Sequence, residues 1–331
     1  AAQWCSCPSM VLLDLLLDTR YGFGNHITES SLDLFSFVNA SKFANTLVSD
    51  GLGGQEARFS CNVNIQTSGE AFELINELAG VMRCMPIWSA GSVTLTQDKP
   101  TDASYLFNLS NVGEGGFNYS GSSLKTRHSV VSVSYFNMDS KEVDFEVYED
   151  TDLISKIGVV IKQVKAFACT SRGQARRLAK AIVFSENNES EVVTFTTSID
   201  SGVVVRPGAV IEIADPVRSG VRRGGRVNTA TTTQITVDDS AATDLPTTNN
   251  PTLSVILPDG TVETKSISSI SGAVVTVSSA FSQTPNANTI WLIQDDTVNA
   301  QKFRVITVEE QEGLVYAITA LSYINEKYAF I

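Results

Sequence analysis

Histidine is scarce in this chain: among its 331 residues only His26 and His128 occur, and neither lies in a metal-binding motif. The cysteines are few, odd in number and scattered without the spacing of a zinc site. They are Cys5, Cys7, Cys61, Cys84 and Cys169. A His-Glu-x-x-His helix, a Gly-x-Ser-x-Gly turn and a phosphate-binding loop are all missing. We therefore expect reduced, mostly buried cysteines, no metal, no cofactor, and a chain that is not an enzyme.

Basic residues and long apolar runs are also in short supply. The chain has 24 basic against 36 acidic residues, a net charge of -12, so its surface repels phosphate, which argues against sequence-specific DNA binding. The longest apolar run, from Met10 to Leu17, is interrupted by Asp14 and is much shorter than the roughly 20 residues of a membrane span. It predicts a buried helix. The sequence starts at Ala1 without an initiator Met, and we expect a piece of a longer or processed protein.

What is present predicts a strand-rich α+β protein of several domains. Hydrophobic residues make up 43% and charged residues 18%, which suits folded domains, and 331 residues suggest two or three of them. Residues 1–124 form a predicted α+β domain. Its predicted elements are helices at 8–18 and 30–45, a strand at 58–66, a helix begun by a Thr67/Glu70 capping box and ended by Pro86, and a hairpin at 87–96.

Residues 125–206 form a predicted strand-rich domain around one helix. Two segments alternate apolar with polar residues, which predicts an antiparallel strand pair with its apolar side chains buried. The apolar positions are Val131, Val133 and Tyr135, then Val143, Phe145 and Val147. The helix spans 171–184 and starts at a Ser171/Gln174 capping box. Its basic face carries Arg172, Arg176, Arg177 and Lys180. Such a face is usually solvated, and the alternative is contact with an acidic neighbouring subunit.

Residues 207–302 form a predicted β-barrel insertion. Short strands follow Pro207 without an intervening helix, at 210–214, 234–237, 253–257, 261–267, 274–277, 290–293, 303–308 and 314–319. This pattern favours a small Greek-key barrel, of which the OB fold is one form, and residues 303–331 are expected to return as strands to the preceding domain. Trp291 lies on one strand. We interpret it as core, with a platform for stacking against a glycan as the alternative.

Eight motifs, spread over nearly the whole chain, carry a family resemblance. They are TRYGFG (19–24), DGLGG (50–54), RCMPIW (83–88), QDKP (97–100), SLKTRH (123–128), AFACTSRGQA (166–175), PGAVIEI (207–213) and YAITA (316–320). In this order they resemble the hub region of the lambda-type tip attachment proteins, the central tail hub or host specificity proteins of tailed phages. Residues 229–285 contribute little to the resemblance.

The resemblance implies a structural part of a siphophage tail tip with a baseplate-hub architecture. Such a hub is a homotrimer that caps the tail tube, joins it to receptor-binding parts, and surrounds the exit path of the tape measure protein and the DNA. The implied partners are the chain itself, the distal tail protein, other tail-tip proteins, the tape measure protein, DNA in passage, and a host receptor reached through a segment outside this region. The implied location is the distal tail tip of a virion, or of a prophage product, made in the bacterial cytoplasm.

Two other functions remain open from the sequence. One is a carbohydrate- or receptor-binding module in the barrel. The other is a cell-wall hydrolase with two carboxylates, for which the visible doublets are Asp238-Asp239, Asp295-Asp296 and Glu309-Glu310. Adjacent side chains on a strand point to opposite faces, so each doublet is a poor candidate for a shared site.

Overall fold

The structure, a computed structural model, describes residues 4–65, 70–89, 91–123, 126–219, 223–238, 245–296 and 300–331. Its internal contacts divide the chain into two compact units. The first comprises Ala1–Pro100, Ser123–Asn188 and Asn325–Ile331, and the second comprises Thr101–Ser122 and Glu189–Ile324. This division differs from the predicted boundaries after residues 124, 206 and 302, because strands within 101–122 and 189–206 pair inside the second unit.

The helices, numbered in chain order, are α1 Pro8–Leu17, α2 Leu34–Ala44, α3 Ala71–Val81, α4 Thr151–Ile157, α5 Arg172–Asn188, α6 Ile199–Gly202, α7 Pro216–Ser219 and α8 Lys327–Phe330. The strands are β1 Leu47–Ser49, β2 Gln55–Ala57, β3 Cys84–Ser89, β4 Ser92–Gln97, β5 Tyr105–Asn108, β6 Asn118–Gly121, β7 Val130–Asn137, β8 Glu142–Glu149, β9 Ile161–Lys165, β10 Glu191–Ser198, β11 Val210–Ala214, β12 Gly224–Ala230, β13 Gln234–Val237, β14 Thr252–Ile256, β15 Val262–Ser271, β16 Val274–Val277, β17 Ile290–Gln294, β18 Gln301–Gln311 and β19 Val315–Ser322. None of the helices in the described residues is both long enough and apolar enough to cross a membrane.

In the first unit, α1, α2 and α3 pack with the β3–β4 hairpin around one apolar core. Leu12, Phe37 and Leu78 are fully buried in it. Helix α1 starts at Pro8, whose fixed φ suits the first helical turn. Asp33 caps α2, since its Oδ1 accepts a hydrogen bond from the Ser36 N–H at 3.4 Å. The helices predicted at 8–18 and 30–45 and the hairpin predicted at 87–96 are confirmed, with α2 beginning four residues later than predicted.

Three local predictions in this unit are wrong. Residues 58–65 form no strand, although Phe59 and Cys61 are buried. Pro86 lies inside β3, and α3 ends earlier because Arg83 adopts a left-handed φ of 53°. The Glu70 side chain makes no capping hydrogen bond, and its predicted partner Thr67 lies outside the described residues.

A three-stranded sheet of order β8-β7-β9 also belongs to the first unit. Strands β7 and β8 are antiparallel, as predicted, and α4 carries the chain across to β9, which runs parallel to β7. Helix α5 covers one face of this sheet. Val131, Val133 and Ala179 are fully buried between helix and sheet, so this face supplies a second core.

The second unit contains a six-stranded sheet of order β5-β11-β18-β19-β10-β6. Its core is rich in aromatic side chains, with the ring centroids of Phe107 and Phe195 4.8 Å apart. Such tilted ring pairs add to the stability that burial provides. Strands β5 and β11 are parallel neighbours, and the other pairs are antiparallel.

The predicted barrel is confirmed as a closed barrel of order β12-β13-β16-β15-β14-β17. It has six strands rather than the five of an OB fold. In sequence it lies between β11 and β18, which are antiparallel neighbours in the six-stranded sheet. The barrel strands therefore span 224–294, a shorter segment than the predicted 207–302.

The cysteines behave as predicted in their packing. Cys7, Cys61, Cys84 and Cys169 are buried and Cys5 is exposed, and all five thiols are free. Burial raises the pKa of Cys61 to about 11, of Cys84 to about 12 and of Cys169 to about 11. These three thiols therefore stay protonated and unreactive at neutral pH.

Candidate interaction surface

The basic face of α5 forms ion pairs with Glu146, an acid of β8 whose side chain points from the sheet toward this helix. Arg172 Nε lies 2.8 Å from Glu146 Oε2, and Arg176 Nη1 lies 3.1 Å from Glu146 Oε1. The Glu146 side chain is only 6% exposed, whereas the two arginine side chains are about half exposed. Two cations thus hold one buried carboxylate, which would otherwise carry a large desolvation cost.

The other two basic residues of this face also have partners inside the first unit. Arg177 is buried; its Nη1 lies 2.7 Å from Glu56 Oε1, and its Nη2 donates to the Arg58 carbonyl at 3.0 Å. Lys180 Nζ donates to the Phe330 carbonyl at 3.3 Å and lies 5.3 Å from the centroid of the Phe330 ring. Because Arg177 is buried, it is neither solvated, as such a face usually is, nor accessible for the alternative contact with another subunit. Arg172, Arg176 and Lys180 have their observed partners in this chain, and their contact with an acidic neighbour stays a prediction.

The predicted capping box of this helix is half right. The Ser171 Oγ accepts a hydrogen bond from the Gln174 N–H at 3.2 Å, as an N-cap does. The Gln174 side chain does not return to Ser171. Its Oε1 accepts from the Ser60 N–H at 2.9 Å and its Nε2 donates to the Ser60 carbonyl at 3.1 Å. Gln174 therefore ties α5 to the extended segment 58–65.

Because Glu146 points inward, β8 turns to solvent the face that was predicted to be buried. Because successive side chains on a strand alternate between faces, Val143, Phe145 and Val147 must point away from α5. They are 63%, 62% and 46% exposed. The prediction that these three residues are buried is wrong, although the alternation on which it rested is real.

Neighbouring strands extend this apolar row into a sheet face. By strand register, Phe136 of β7 lies beside Val143, and Phe136 and Ile161 are 43% and 57% exposed. We call the set Phe136, Val143, Phe145, Val147 and Ile161 the outer face. Its exposed apolar area is on the order of 500 Å², toward the upper end of the roughly 300–600 Å² of the largest patch on a typical monomer.

A cleft of about 850 Å³ adjoins the outer face at Phe136 and Val143. Apolar side chains at its wall include Ile65, Leu74 and Phe167. The acids on its rim are Glu70, Glu73 and Glu77. The cleft prolongs the apolar surface of the sheet toward α3, so the accessible apolar region of the first unit is larger than the outer face alone.

Charge is segregated between the two outer strands of this sheet. Residues 142–152 include six acids and no base, whereas residues 153–185 include no acid at all. The basic residues next to and on β9 are Lys156, Lys162 and Lys165. Lys162 Nζ lies 2.6 Å from Glu186 Oε1, and His128 Nδ1 lies 2.8 Å from Glu186 Oε2. Burial opposes ionisation of Glu186, but the hydrogen bonds from Lys162 and His128 outweigh it and lower its pKa.

The structure places Trp291 in the barrel core. The residue is fully buried, and its Nε1 donates to the Arg226 carbonyl at 3.2 Å and to Asp238 Oδ1 at 3.1 Å. Its ring faces are covered, so the alternative of a glycan-stacking platform is wrong and the interpretation as core is confirmed.

The acidic doublets show no shared site in the described residues. Asp238 accepts a hydrogen bond from Trp291, and Asp295 lies 3.4 Å from the Arg223 guanidinium. Asp239 lies outside the described residues. Within the described ranges, no group of three or more His, Cys, Asp or Glu side chains is placed to hold a metal ion.

Comparison with known proteins gives matches to phage tail proteins and to a related particle. A family described as "Putative phage tail protein" matches residues 70–227, so the match ends inside β12 at the start of the barrel. The chain is 29% identical over 337 residues to tip attachment protein J of Escherichia phage SECphi27, covering 98% of this chain and 28% of that protein. It is 28% identical over 315 residues to tip attachment protein J of Escherichia phage SECphi4, covering 94% of this chain and 27% of that protein. The chain thus spans little more than a quarter of the length of these relatives.

Among solved structures, one similar chain is in the virion of a native gene transfer agent particle, with a TM-score of 0.45 and 10% identity over 79% of this chain and 41% of that one. Another is a tail protein from Neisseria meningitidis MC58, with a TM-score of 0.41 and 10% identity over 82% of this chain and 60% of that one. The sequence relatives and the family match confirm the resemblance carried by the eight motifs. The chain is thus similar over nearly its whole length to tip attachment proteins of tailed phages, and over residues 70–227 to a family of putative phage tail proteins.

Proposed function

We propose that this chain is the central hub of a siphophage tail tip, where three copies cap the tail tube and connect it to receptor-binding parts. The observation that carries the proposal is the outer face. A folded unit leaves five apolar side chains exposed on a sheet whose other face packs against α5. Exposed patches of this kind mark protein–protein contacts, and a hub acts through such contacts.

The proposed partners follow from the position of a hub. The distal tail protein and other tail-tip proteins would bind around it, and the tape measure protein and the DNA would pass through it. A net charge of -12 suits a passage for a polyanion, because like charge prevents the DNA from binding on its way. The chain covers only 28% of its relatives, so we assign host receptor contact to a part of the protein beyond these residues.

We further propose that the role is structural rather than enzymatic. Two of the acids in the sequence doublets have structural partners: Asp238 with Trp291 and Asp295 with Arg223. The buried thiols with raised pKa values are poor nucleophiles. Asp238, Asp295 and these thiols are thus engaged in holding the fold.

Electron microscopy of assembled tails tests the hub directly. A small tag inserted at the Pro258–Gly260 turn, which is a surface turn of the barrel, is expected to appear as three densities around the tail axis. One density, or six, would contradict a threefold hub. Light scattering of the protein together with its tail partners is expected to give a complex whose mass, after that of the partners is subtracted, corresponds to three copies of the 35.6 kDa chain. A purely monomeric protein in that mixture would also contradict the hub.

A further inference from the structure

We propose that β8 of one copy pairs edge to edge with β9 of the next copy, which joins the three-stranded sheets of successive copies into one continuous sheet. The inference rests on the proposed hub function, because it supplies the contact by which copies would meet. The two sheet edges, their charges and the apolar row along them all belong to the first unit.

Both edges of the sheet are open in the described part of the chain. The sheet order β8-β7-β9 leaves β8 and β9 each hydrogen-bonded to a strand on one side only. Strand β8 is eight residues long, contains no Pro, and pairs with β7 in unbroken register from Glu142 to Glu149. Monomeric proteins interrupt long apolar edges with bulges, Pro or inward charges, since such edges associate. The only inward charge buried on β8 is Glu146, and two arginines neutralise it.

The two edges carry opposite charge. Glu142 and Glu149 lie at the two ends of β8, and neither forms an ion pair within the described residues. On the opposite edge, Lys165 ends β9 and Lys156 precedes it, likewise without an ion pair in the described part of the chain. An edge of one sign therefore meets an edge of the other sign when copies associate head to tail. The same charges oppose contacts between two β8 edges or two β9 edges.

Strand directions fix which side chains would meet. Strand β9 runs parallel to β7 and β8 runs antiparallel to it, so β8 and the next copy's β9 would form an antiparallel pair. With the two strands centred on each other, Val147 lies beside Ile161 of the next copy and Phe145 lies beside its Gln163, all on the side of the sheet that carries the outer face. Cross-strand apolar pairs such as Val147 with Ile161 stabilise antiparallel sheets, and this pairing would cover part of the outer face.

The contact is heterologous, since it uses a different surface on each partner. A heterologous contact closes into a ring when the rotation between copies allows it, whereas a contact of one surface with itself gives a pair. Three copies joined in this way leave no free β8 or β9 edge. The edge pairing is therefore compatible with threefold symmetry without a separate contact of another kind.

Cross-linking in assembled tails tests the pairing. In a Cys5→Ser background, which removes the exposed thiol, Val147→Cys combined with Ile161→Cys is expected to give covalent dimers and trimers on mild oxidation. Each single variant is the matched control and is expected to give none. A second combination, Phe145→Cys with Gln163→Cys, tests the same contact one pair further along. The Cα atoms of directly opposed strand residues lie within disulfide range.

The outcomes separate this inference from the hub itself. Threefold tags in micrographs without cross-links from either combination would overturn the edge pairing and leave the hub standing. Dimers from Val147→Cys alone would overturn it as well, because they indicate a contact of β8 with itself. The absence of any threefold assembly would overturn both proposals.

Charge reversal provides a second, independent measurement. Glu142→Lys with Glu149→Lys is expected to weaken self-association at least about tenfold at low salt. Adding Lys156→Glu and Lys165→Glu to the same chain is expected to restore it, because the edges are again opposite in sign. Glu309→Lys with Glu312→Lys, which changes the net charge equally at exposed positions of the second unit, is expected to have no effect. The inference would be overturned if Glu309→Lys with Glu312→Lys weakened self-association as much as Glu142→Lys with Glu149→Lys. It would also be overturned if Lys156→Glu with Lys165→Glu failed to restore self-association.

Discussion

Arg172 and Glu146 form an ion pair of 2.8 Å on the side of the three-stranded sheet that α5 covers. This pair decides the orientation of β8. With Glu146 held inside, the apolar residues of the strand lie outside, and the basic helix face is turned to the fold of its own unit. One local contact thus accounts for both the exposed outer face and the engagement of the helix arginines.

Removing the Glu146 carboxylate is expected to destabilise the first unit moderately. We expect Glu146→Gln to lower the free energy of unfolding by about 1–2 kcal/mol, because the two arginines lose a charged acceptor but remain half exposed to water. Glu142→Gln is the control, on the same strand but exposed, with an expected change within about 0.5 kcal/mol. Urea denaturation measures both, and equal effects would show that Glu146 contributes no more than a surface acid.

Two helical glycines are expected to respond oppositely to alanine. A Cβ at Gly173 in α5 would lie 2.8 Å from the Asp50 carbonyl oxygen and would displace Glu56, so Gly173→Ala is expected to cost about 1–3 kcal/mol. A Cβ at Gly80 in α3 meets nothing within 4 Å, so Gly80→Ala is expected to stabilise by about 0.4–1 kcal/mol. Thermal denaturation of the two variants distinguishes them. Stabilisation by both would mean that the 50–54 turn moves aside freely.

The barrel core depends on Trp291. Its truncation to alanine is expected to lower the stability of the second unit by about 3–5 kcal/mol, since the side chain is fully buried and its Nε1 donates two hydrogen bonds. Trp88→Ala is the control in the first unit, where 67% of the residue is exposed. Urea denaturation followed by circular dichroism measures the change in the free energy of unfolding for both variants. A loss below about 1 kcal/mol for Trp291→Ala would contradict its role in the core.

Glu212 is expected to make the second unit less stable as the pH rises. Burial raises the pKa of this carboxyl above its usual 4.5, against the opposing effects of Lys302 and Gln294. The folded state then holds a proton that the unfolded state releases, so the stability that protonated Glu212 contributes is fully present below pH 4.5 and is lost as the pH rises through the raised pKa. The stability of the wild type relative to Glu212→Gln should decline over that range, measured by denaturation at several pH values.

Glu186 provides the comparison of opposite sign for this pH dependence. Its pKa is lowered, so the stability it contributes is present above pH 4.5 and is lost as the pH falls through the lowered pKa. The stability of the wild type relative to Glu186→Gln should therefore decrease toward acid. If the difference in stability between wild type and variant changed with pH in the same direction for Glu212→Gln and Glu186→Gln, the opposite directions of the two pKa shifts would be contradicted.

Several strands after Pro207 could be predicted because they lie between turn residues and depend on local pattern, whereas β12 is missing from the predicted strands. The segments predicted at 210–214, 234–237 and 274–277 agree residue for residue with β11 of the six-stranded sheet and with β13 and β16 of the barrel. Between β14 and β15, the Pro258-Asp259-Gly260 turn separates two predicted strands, and Gly260 has the positive φ of 83° that glycine adopts readily.

The side of β8 could not be predicted from its own residues. Alternation defines two rows of side chains but not which row faces the core. That choice depends on Arg172 and Arg176, which lie 26 and 30 residues further along the chain. The six acids between 142 and 152, with no base among them, could have indicated the correct side. An acid on β8 that turns toward the core needs a basic partner, and this segment offers none nearby in sequence.

The strand predicted at 58–66 is wrong in its described part, 58–65, for a related reason. Its buried residues Phe59 and Cys61 alternate as on a strand. A side chain, however, takes the place of the neighbouring strand: Gln174, 114 residues away, bonds both the N–H and the carbonyl of Ser60. Periodicity shows that a segment is extended but not what its backbone binds.

The barrel enters and leaves the six-stranded sheet at adjacent positions, because Ile213 of β11 is paired with Gln301 of β18. A gene segment coding for the barrel could therefore be exchanged between tails at two neighbouring joints without altering the order of the sheet. The exchange has one constraint: Ile256, Ile290 and Leu292 from the barrel complete the core of that sheet. An incoming module must present an apolar patch at the same place, so selection would act on that small docking patch while the remainder of the barrel diverges.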